Sequence, residues 1–321
     1  MMRSPRSFVV AVRRPDGSIA IREQEWETLL PALKFLRWPF FRGAVVLLES
    51  MHNGFSALKF SAEHGLPPEE GGGATGKPSK ATDLGNTAML VIATAMMMVL
   101  FIAAPHLATF GIGKLVGGTL LDSSKPLFHL VDGVMRLVIL LGYILAISRT
   151  REAQRLFQYH GAEHKAIWAY ETGELSVDSA ARYTTLHPRC GTSFLFVVVF
   201  VAVLLHVALI PFIPQMHPNA LVNQLLLVLV KVPMAFPIAG FAYELQKVSA
   251  KPECPRWIQF LVRPGIWMQN ITTKEPSRDQ LEIAVLALER ALAREEGRAL
   301  AQDGVHVYPS FALATSAAPA A

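Results

Sequence analysis

Charge and cysteine are what this sequence has least of. Asp, Glu, Lys and Arg make up 17% of its 321 residues, against 52% hydrophobic residues. A soluble domain of this length does not need so much apolar residue, but a polytopic membrane protein does. Cys190 and Cys254 are the only cysteines, which excludes a disulfide framework. No basic stripe with interleaved aromatics occurs, so nucleic acid is excluded as a partner. The net charge of +5 is gathered in particular loops, which suits anionic membrane lipid headgroups. Met1–Val12 has no apolar run behind its arginines, so no signal peptide is expected.

What the chain does have is long hydrophobic runs. Those over 84–104, 130–148, 193–213 and 220–245 are each near the ~20 residues that a ~30 Å hydrocarbon core requires. Residues 1–28 read as a β-hairpin, with Phe8–Val12 and Ser18–Ile21 flanking Pro15-Asp16-Gly17. Segment 29–64 is apolar but broken by Pro31, Lys34, Arg37, Pro39 and Arg42, as in an interfacial or re-entrant helix. The Pro- and Gly-rich stretch 65–83 reads as a flexible linker. The pair of runs in 84–148 is followed by a polar loop, 149–192, and the pair in 193–245 by an aromatic interfacial segment, 246–276. Ser277 caps an amphipathic helix over 277–303, and 304–321 reads as a disordered tail. The expected fold is an all-α integral membrane protein. It has four transmembrane helices, interfacial helices, a small N-terminal β-hairpin and a C-terminal cytoplasmic amphipathic helix.

Basic residues orient it. Arg3, Arg6, Arg13, Arg14, Lys77 and Lys80 precede the first run, and Arg149, Arg151, Arg155, Lys165, Arg182 and Arg189 lie between the second and third. The loops on the other side offer only Lys114 and Lys125, so both termini and the 149–192 loop are expected in the cytoplasm.

That loop carries His160-x-x-Glu163-His164. Two imidazoles four residues apart on a helix share one face and can reach one metal ion. The carboxylate between them, Glu163, is placed to act as a general base on a metal-bound water. The bland alternative is a polar pair bonded to headgroups, with Glu163 in a salt bridge to Arg155 or Lys165. A catalytic zinc needs a third ligand and an open position. His187 or Glu171 is favoured, then Cys190, then Glu244; Glu171 stays on the face of His164 if the helix continues. Arg189, Tyr159, Glu244 and Lys231 are the candidates to brace the ligands or touch substrate. Arg189 suits a phosphate or carboxylate, or snorkels. Lys231, near mid-membrane beside Pro233 and Pro237, marks either a substrate path or a kinked packing site. Arg136 and His206, costly in lipid, are expected to face a bundle interior or water, and Arg136, near the outer end of its run, can instead snorkel. Gly111, Gly113, Gly117 and Gly118 read as turns.

Phe157 to Lys165, Tyr170-Glu171-Thr172-Gly173 and His187-Pro188-Arg189-Cys190-Gly191-Thr192-Ser193-Phe194 resemble the YqhQ-like family, bacterial membrane proteins of unknown function described as predicted metal-dependent enzymes. Arg42-Gly43, Asp132-Gly133, Tyr243-Glu244, Pro264-Gly265 and Thr272-Thr273-Lys274-Glu275-Pro276 add to the resemblance, which runs from Met1 to about Leu292. Members usually carry Gly-Gly-Gln-Ala-Val-Ile-Glu-Gly-Val before the match to Met1-Met2-Arg3; here that stretch does not precede Met1. The resemblance implies a bacterial inner membrane location and a divalent metal site, zinc by its donors. The expectation is a metal-dependent hydrolase acting at the cytoplasmic face on a lipid-linked or membrane-proximal substrate. The alternatives are a non-catalytic scaffold that docks protein partners or a second copy, and a small transporter with Lys231 and His206 on its path.

Overall fold

The computed structural model describes residues 1–28, 33–65, 88, 91–116, 121–249, 251, 253–298 and 304–316. The expected linker lies outside the described residues from residue 66 onward. The elements, in chain order, begin with β1 (Met2–Arg3), β2 (Ser7–Arg13), β3 (Ile19–Glu25) and α1 (Arg42–Gly65). Two long helices follow, α2 (Val91–Val116) and α3 (Pro126–Ile147). Then come α4 (Arg151–Glu171), α5 (Val177–Ala181), α6 (Gly191–Leu209) and α7 (Ala220–Ser249). The chain closes with α8 (Arg256–Thr272), α9 (Arg278–Glu295), β4 (Gly304–Tyr308) and α10 (Phe311–Ser316).

The hairpin forms as its sequence predicts. Gly17, at φ +84°, takes the left-handed turn position, and β2 pairs antiparallel with β3, Val9 opposite Glu23. It is the middle of a larger unit, an antiparallel sheet in the order β1-β2-β3-β4. Phe8, Val10, Val12 and Ala20 face Ala57 and Phe60 of α1, while Val9, Ile19 and Ile21 face Leu281, Val285 and Leu286 of α9. A strand covered on both faces reads as a near-continuous apolar run, as Phe8–Val12 does.

The tail, expected to be disordered over 304–321, is ordered in part. Gly304–Tyr308 is not disordered but is strand β4, with Tyr308 opposite Ile19. The unpaired edge of β3 requires partners for its backbone groups, and β4 supplies them. Arg290, 2% exposed, holds the segment beyond by donating from Nη2 to the Ala314 carbonyl at 2.7 Å and from Nη1 to Glu23 at 3.3 Å.

Among the described residues, four helices are long and apolar enough to cross a membrane: α2, α3, α7 and the Gly191–Phe212 stretch that contains α6. The protein is therefore a membrane protein. The first span does not stop at Pro105. A π-helical turn over Val99–Ala103 absorbs the proline's missing N–H and ring clash, so the helix runs on to Val116 and takes Gly111 and Gly113 into it. Helices α3 and α6 touch where a Cβ on Gly133 would lie 2.2 Å from Val203. Arg136 is at the middle of α3 and only 7% exposed, so it does not snorkel; the helix begins at Pro126, earlier than the apolar run alone indicates. Helix α1 is outside this set: it packs on the sheet, and a bidentate pair, Arg42 Nε and Nη2 to Glu244 at 2.7 and 2.6 Å, ties it to α7. Helix α8 runs unbroken through Pro264, and Gly265 lets it close on Ser193 of α6.

Candidate metal centre

Helix α4 leaves the end of α3 after Thr150, whose side chain caps it by accepting from Ala153 N at 3.2 Å. Ala162, Ala166 and Ala169 bury one face of α4 against α9. Gly161 lets the backbone of Lys274 approach so closely that a Cβ would stand 2.2 Å from its carbonyl oxygen. The opposite face, His160 and His164, is thereby aimed at the turn 185–190 that leads into α6.

The expected pair comes together with a third residue. His160, His164 and Cys190 place one ligand atom each within 4.8 Å of one another. Nε2 of His160 is 3.1 Å from Cys190 Sγ, close to the edge of a tetrahedral zinc shell, roughly 3.5 Å for ordinary Zn–N and Zn–S bonds. Both imidazoles are fixed from behind: His160 Nδ1 donates to the Thr272 carbonyl at 2.9 Å, and His164 Nδ1 to the Thr185 carbonyl at 2.5 Å. That keeps the proton on each Nδ1 and aims each Nε2 at the site, so Nε2 carries the proton shared with Cys190 and offers its lone pair to a metal once that proton is lost, with the rings oriented as metal-binding histidines commonly are. Cys190 caps α6, its Sγ accepting from Thr192 N at 3.3 Å.

Burial pushes the Cys190 thiol up, but hydrogen bonds from His160 and His164 outweigh it and bring its pKa down to about 5. Burial disfavours the charged His160, yet its bond to Cys190, the Thr272 carbonyl and nearby Glu163 hold its pKa above the ordinary value. The donor set of two imidazoles and a low-pKa thiol fits a borderline-soft divalent ion such as zinc.

The other candidates fall elsewhere. Glu171 is on the same face of α4, but seven residues past His164 is roughly 10 Å along the axis. It pairs with Arg189 at 2.9 Å and lies 3.6 Å from His187 Nε2, so it does not join the cluster. His187 is 2% exposed, with its ring 5.8 Å from that of His164 and 4.8 Å from Trp168. Burial lowers its pKa, with Glu171 opposing and His164 reinforcing the shift. Arg189 is thus committed to Glu171. Glu163 binds the Met1 amine, and Lys165 binds Glu275 instead of Glu163. Tyr159 packs against the α4–α9 core, away from the ligand atoms. Glu244 is taken by Arg42, and Lys231 lies inside the bundle, 2.6 Å from Asp132.

Sequence reasoning missed the supports. Gln269 of α8 accepts from His187 N at 2.8 Å and donates to the His187 carbonyl at 2.9 Å and to Ser193 Oγ at 2.9 Å. Thr272 and Thr273 stood in the motif Thr272–Pro276, yet nothing in that motif reveals that a backbone carbonyl is the group in use.

Residues 38–294 match the family described as Protein of unknown function (DUF1385). The chain is also 30% identical over 306 residues to the Uncharacterized protein YqhQ of Bacillus subtilis (strain 168), a match covering 92% of this chain and 90% of that protein. The chain belongs to this family. No solved structure matches it. The YqhQ-like resemblance carried by the His160–His164 and Pro188–Thr192 motifs therefore extends over most of the chain, and the family brings no reaction with it.

Proposed function

We propose that this membrane protein is a metal-dependent hydrolase, with a divalent ion, zinc by its donors, held by His160 Nε2, His164 Nε2 and Cys190 Sγ. The observation that carries the reading is the pair of Nδ1–carbonyl hydrogen bonds, which aim both Nε2 atoms at a low-pKa thiol. A zinc ion bound there would make a water acidic enough to act as a nucleophile near neutral pH. Three protein ligands leave a position for that water. Glu163, close enough to raise the His160 pKa and 25% exposed in its side chain, is the proton acceptor in this reading. His187, Glu171 and Arg189 brace the turn that carries Cys190. The cluster lies where α3 ends and α6 begins, so a lipid-linked or membrane-proximal substrate suits it, and the basic loops around it favour the cytoplasmic face.

A second reading has its own observation. His164, Cys190 and His187 are 4%, 6% and 2% exposed, and His187 Nε2 has no hydrogen-bond partner among the described residues. A turn of that ring would close the shell at four ligands, as in structural zinc sites, and make the protein a scaffold. The test is a screen of zinc-loaded protein against ester, phosphodiester and peptide substrates, beside Glu163→Gln. Turnover lost in Glu163→Gln with zinc retained supports the hydrolase. Turnover unaffected by Glu163→Gln contradicts its role as proton acceptor. Stoichiometric zinc with no turnover, and with cobalt(II) giving a four-ligand spectrum that changes in His187→Ala, supports the scaffold.

A further inference from the structure

A second concentration of ionisable groups lies inside the helix bundle, where the proposed metal chemistry does not use it. Lys231 of α7 donates to Asp132 Oδ2 at 2.6 Å and to His106 Nδ1 at 2.8 Å. Arg136, one turn after Asp132 on α3, stands 3.6 Å from the same oxygen. His129 of α3 and His206 of α6 are within Coulombic reach of Lys231. None of these six residues is more than 7% exposed. From their positions in α3 and α7, Arg136 and Lys231 are about 15 Å from the bundle end opposite the metal centre, near the middle of a ~30 Å core.

Here two cations share one carboxylate, which leaves an excess positive charge in an apolar interior, an expensive arrangement. Arg136 cannot shed a proton, whereas a buried lysine readily does. Arg136 Nε and Nη2 and Asp132 Oδ1 are buried without hydrogen-bond partners among the described residues, so this pair holds donors and an acceptor in reserve. An exit also exists. The Lys231 ammonium can only donate to His106 Nδ1, so His106 Nε2 carries the proton that bonds Gln224 Oε1 at 3.0 Å. Gln224 in turn donates to Ser123 Oγ at 3.0 Å. Both Gln224 and Ser123 line a cavity of about 570 Å³ at the end of the bundle opposite the metal centre.

We propose that the bundle core is a proton-exchange site. Lys231 passes one proton through His106 toward the cavity behind Gln224 and Ser123, and Arg136 takes over the Asp132 carboxylate. The Lys231 Nζ–H bond breaks with its electron pair left on nitrogen, and His106 Nδ1 gains the proton. The Nε2 proton passes to cavity water once Gln224 swings aside. The Lys231–Asp132–Arg136 set goes from one net positive charge to none. The groups facing Lys231 are His106 of α2, Asp132, Arg136 and His129 of α3, and His206 of α6. The inference stands independently of the hydrolase reading.

The test uses full-length protein in lipid nanodiscs with ¹⁵N-labelled lysine, following Nζ signals against pH and assigning Lys231 by its loss in Lys231→Arg. The Lys231 signal is expected to titrate with a midpoint of its own, apart from the other lysines. In Arg136→Met the midpoint should rise, because the ammonium no longer competes for Asp132. In His106→Phe deuterium uptake at Lys231 Nζ should slow several-fold. Lys231 titrating together with the other lysines, or a midpoint unmoved by Arg136→Met, overturns the proposal. An unchanged exchange rate in His106→Phe removes the relay. Should a variant fail to fold, the wild-type titration alone still decides the first point.

Discussion

Cys190 between two imidazoles is the most consequential residue-scale feature. Its pKa near 5 means the thiolate is present above that pH and is lost as pH falls through it. In chelator-treated protein, iodoacetamide labelling of Cys190 should hold its rate from pH 8 to about 6 and fall below about 5. In His160→Ala the fall should move up toward the ordinary thiol range, and mass spectrometry of the labelled peptide reads both. Gly161→Ala should cost about 1–3 kcal/mol, because the added methyl meets the Lys274 carbonyl in a packed contact. A thermal melt checks it, and zinc retention should fall with it as α4 shifts from Thr272. The histidine pair was legible because an i, i+4 spacing needs only a helix to share a face. Cys190 was harder to rank, since its approach depends on how the turn 185–190 folds back onto α4. Glu171 shows the limit of face reasoning: it is on the right side of the helix but too far along the axis.

At the scale of elements, the clearest surprise is β4. Val305, Val307 and Tyr308 are strand formers, but five residues are too few to name a strand without a partner, and it is the open edge of β3 that pairs with them. Truncation after Asp303 should strand Arg290 without its Ala314 partner and cost about 1.5–3 kcal/mol from that bond alone. Limited proteolysis should then cut the β2–β3 region faster than in the full chain. The long spans were readable because ~20 apolar residues leave few alternatives in water or lipid. The end of α2 was not, because a π-turn reconciles Pro105 with a continuous helix and leaves no mark in hydropathy. Arg42 and Glu244 make the same point, since a pair 202 residues apart is invisible until α1 is laid on α7.

For the whole molecule, the four membrane-length helices among the described residues put the sheet, α4, α9 and the His160–His164–Cys190 cluster at one end of the bundle and the Ser123–Gln224 cavity at the other. Tags at residue 1 and residue 321 should therefore share one protease-protection pattern in sealed vesicles, and the basic loops predict that side to be cytoplasmic. Opposite patterns for the two tags would rule out an even number of crossings. The measurement that bears most directly on the account is the metal content of gently purified protein by elemental mass spectrometry, beside Cys190→Ser and the His160→Ala/His164→Ala double variant. About one zinc per chain, lost in both variants while each still folds, is the predicted result. No stoichiometric metal in the parent protein, or zinc retained without Cys190 and both histidines, would contradict it.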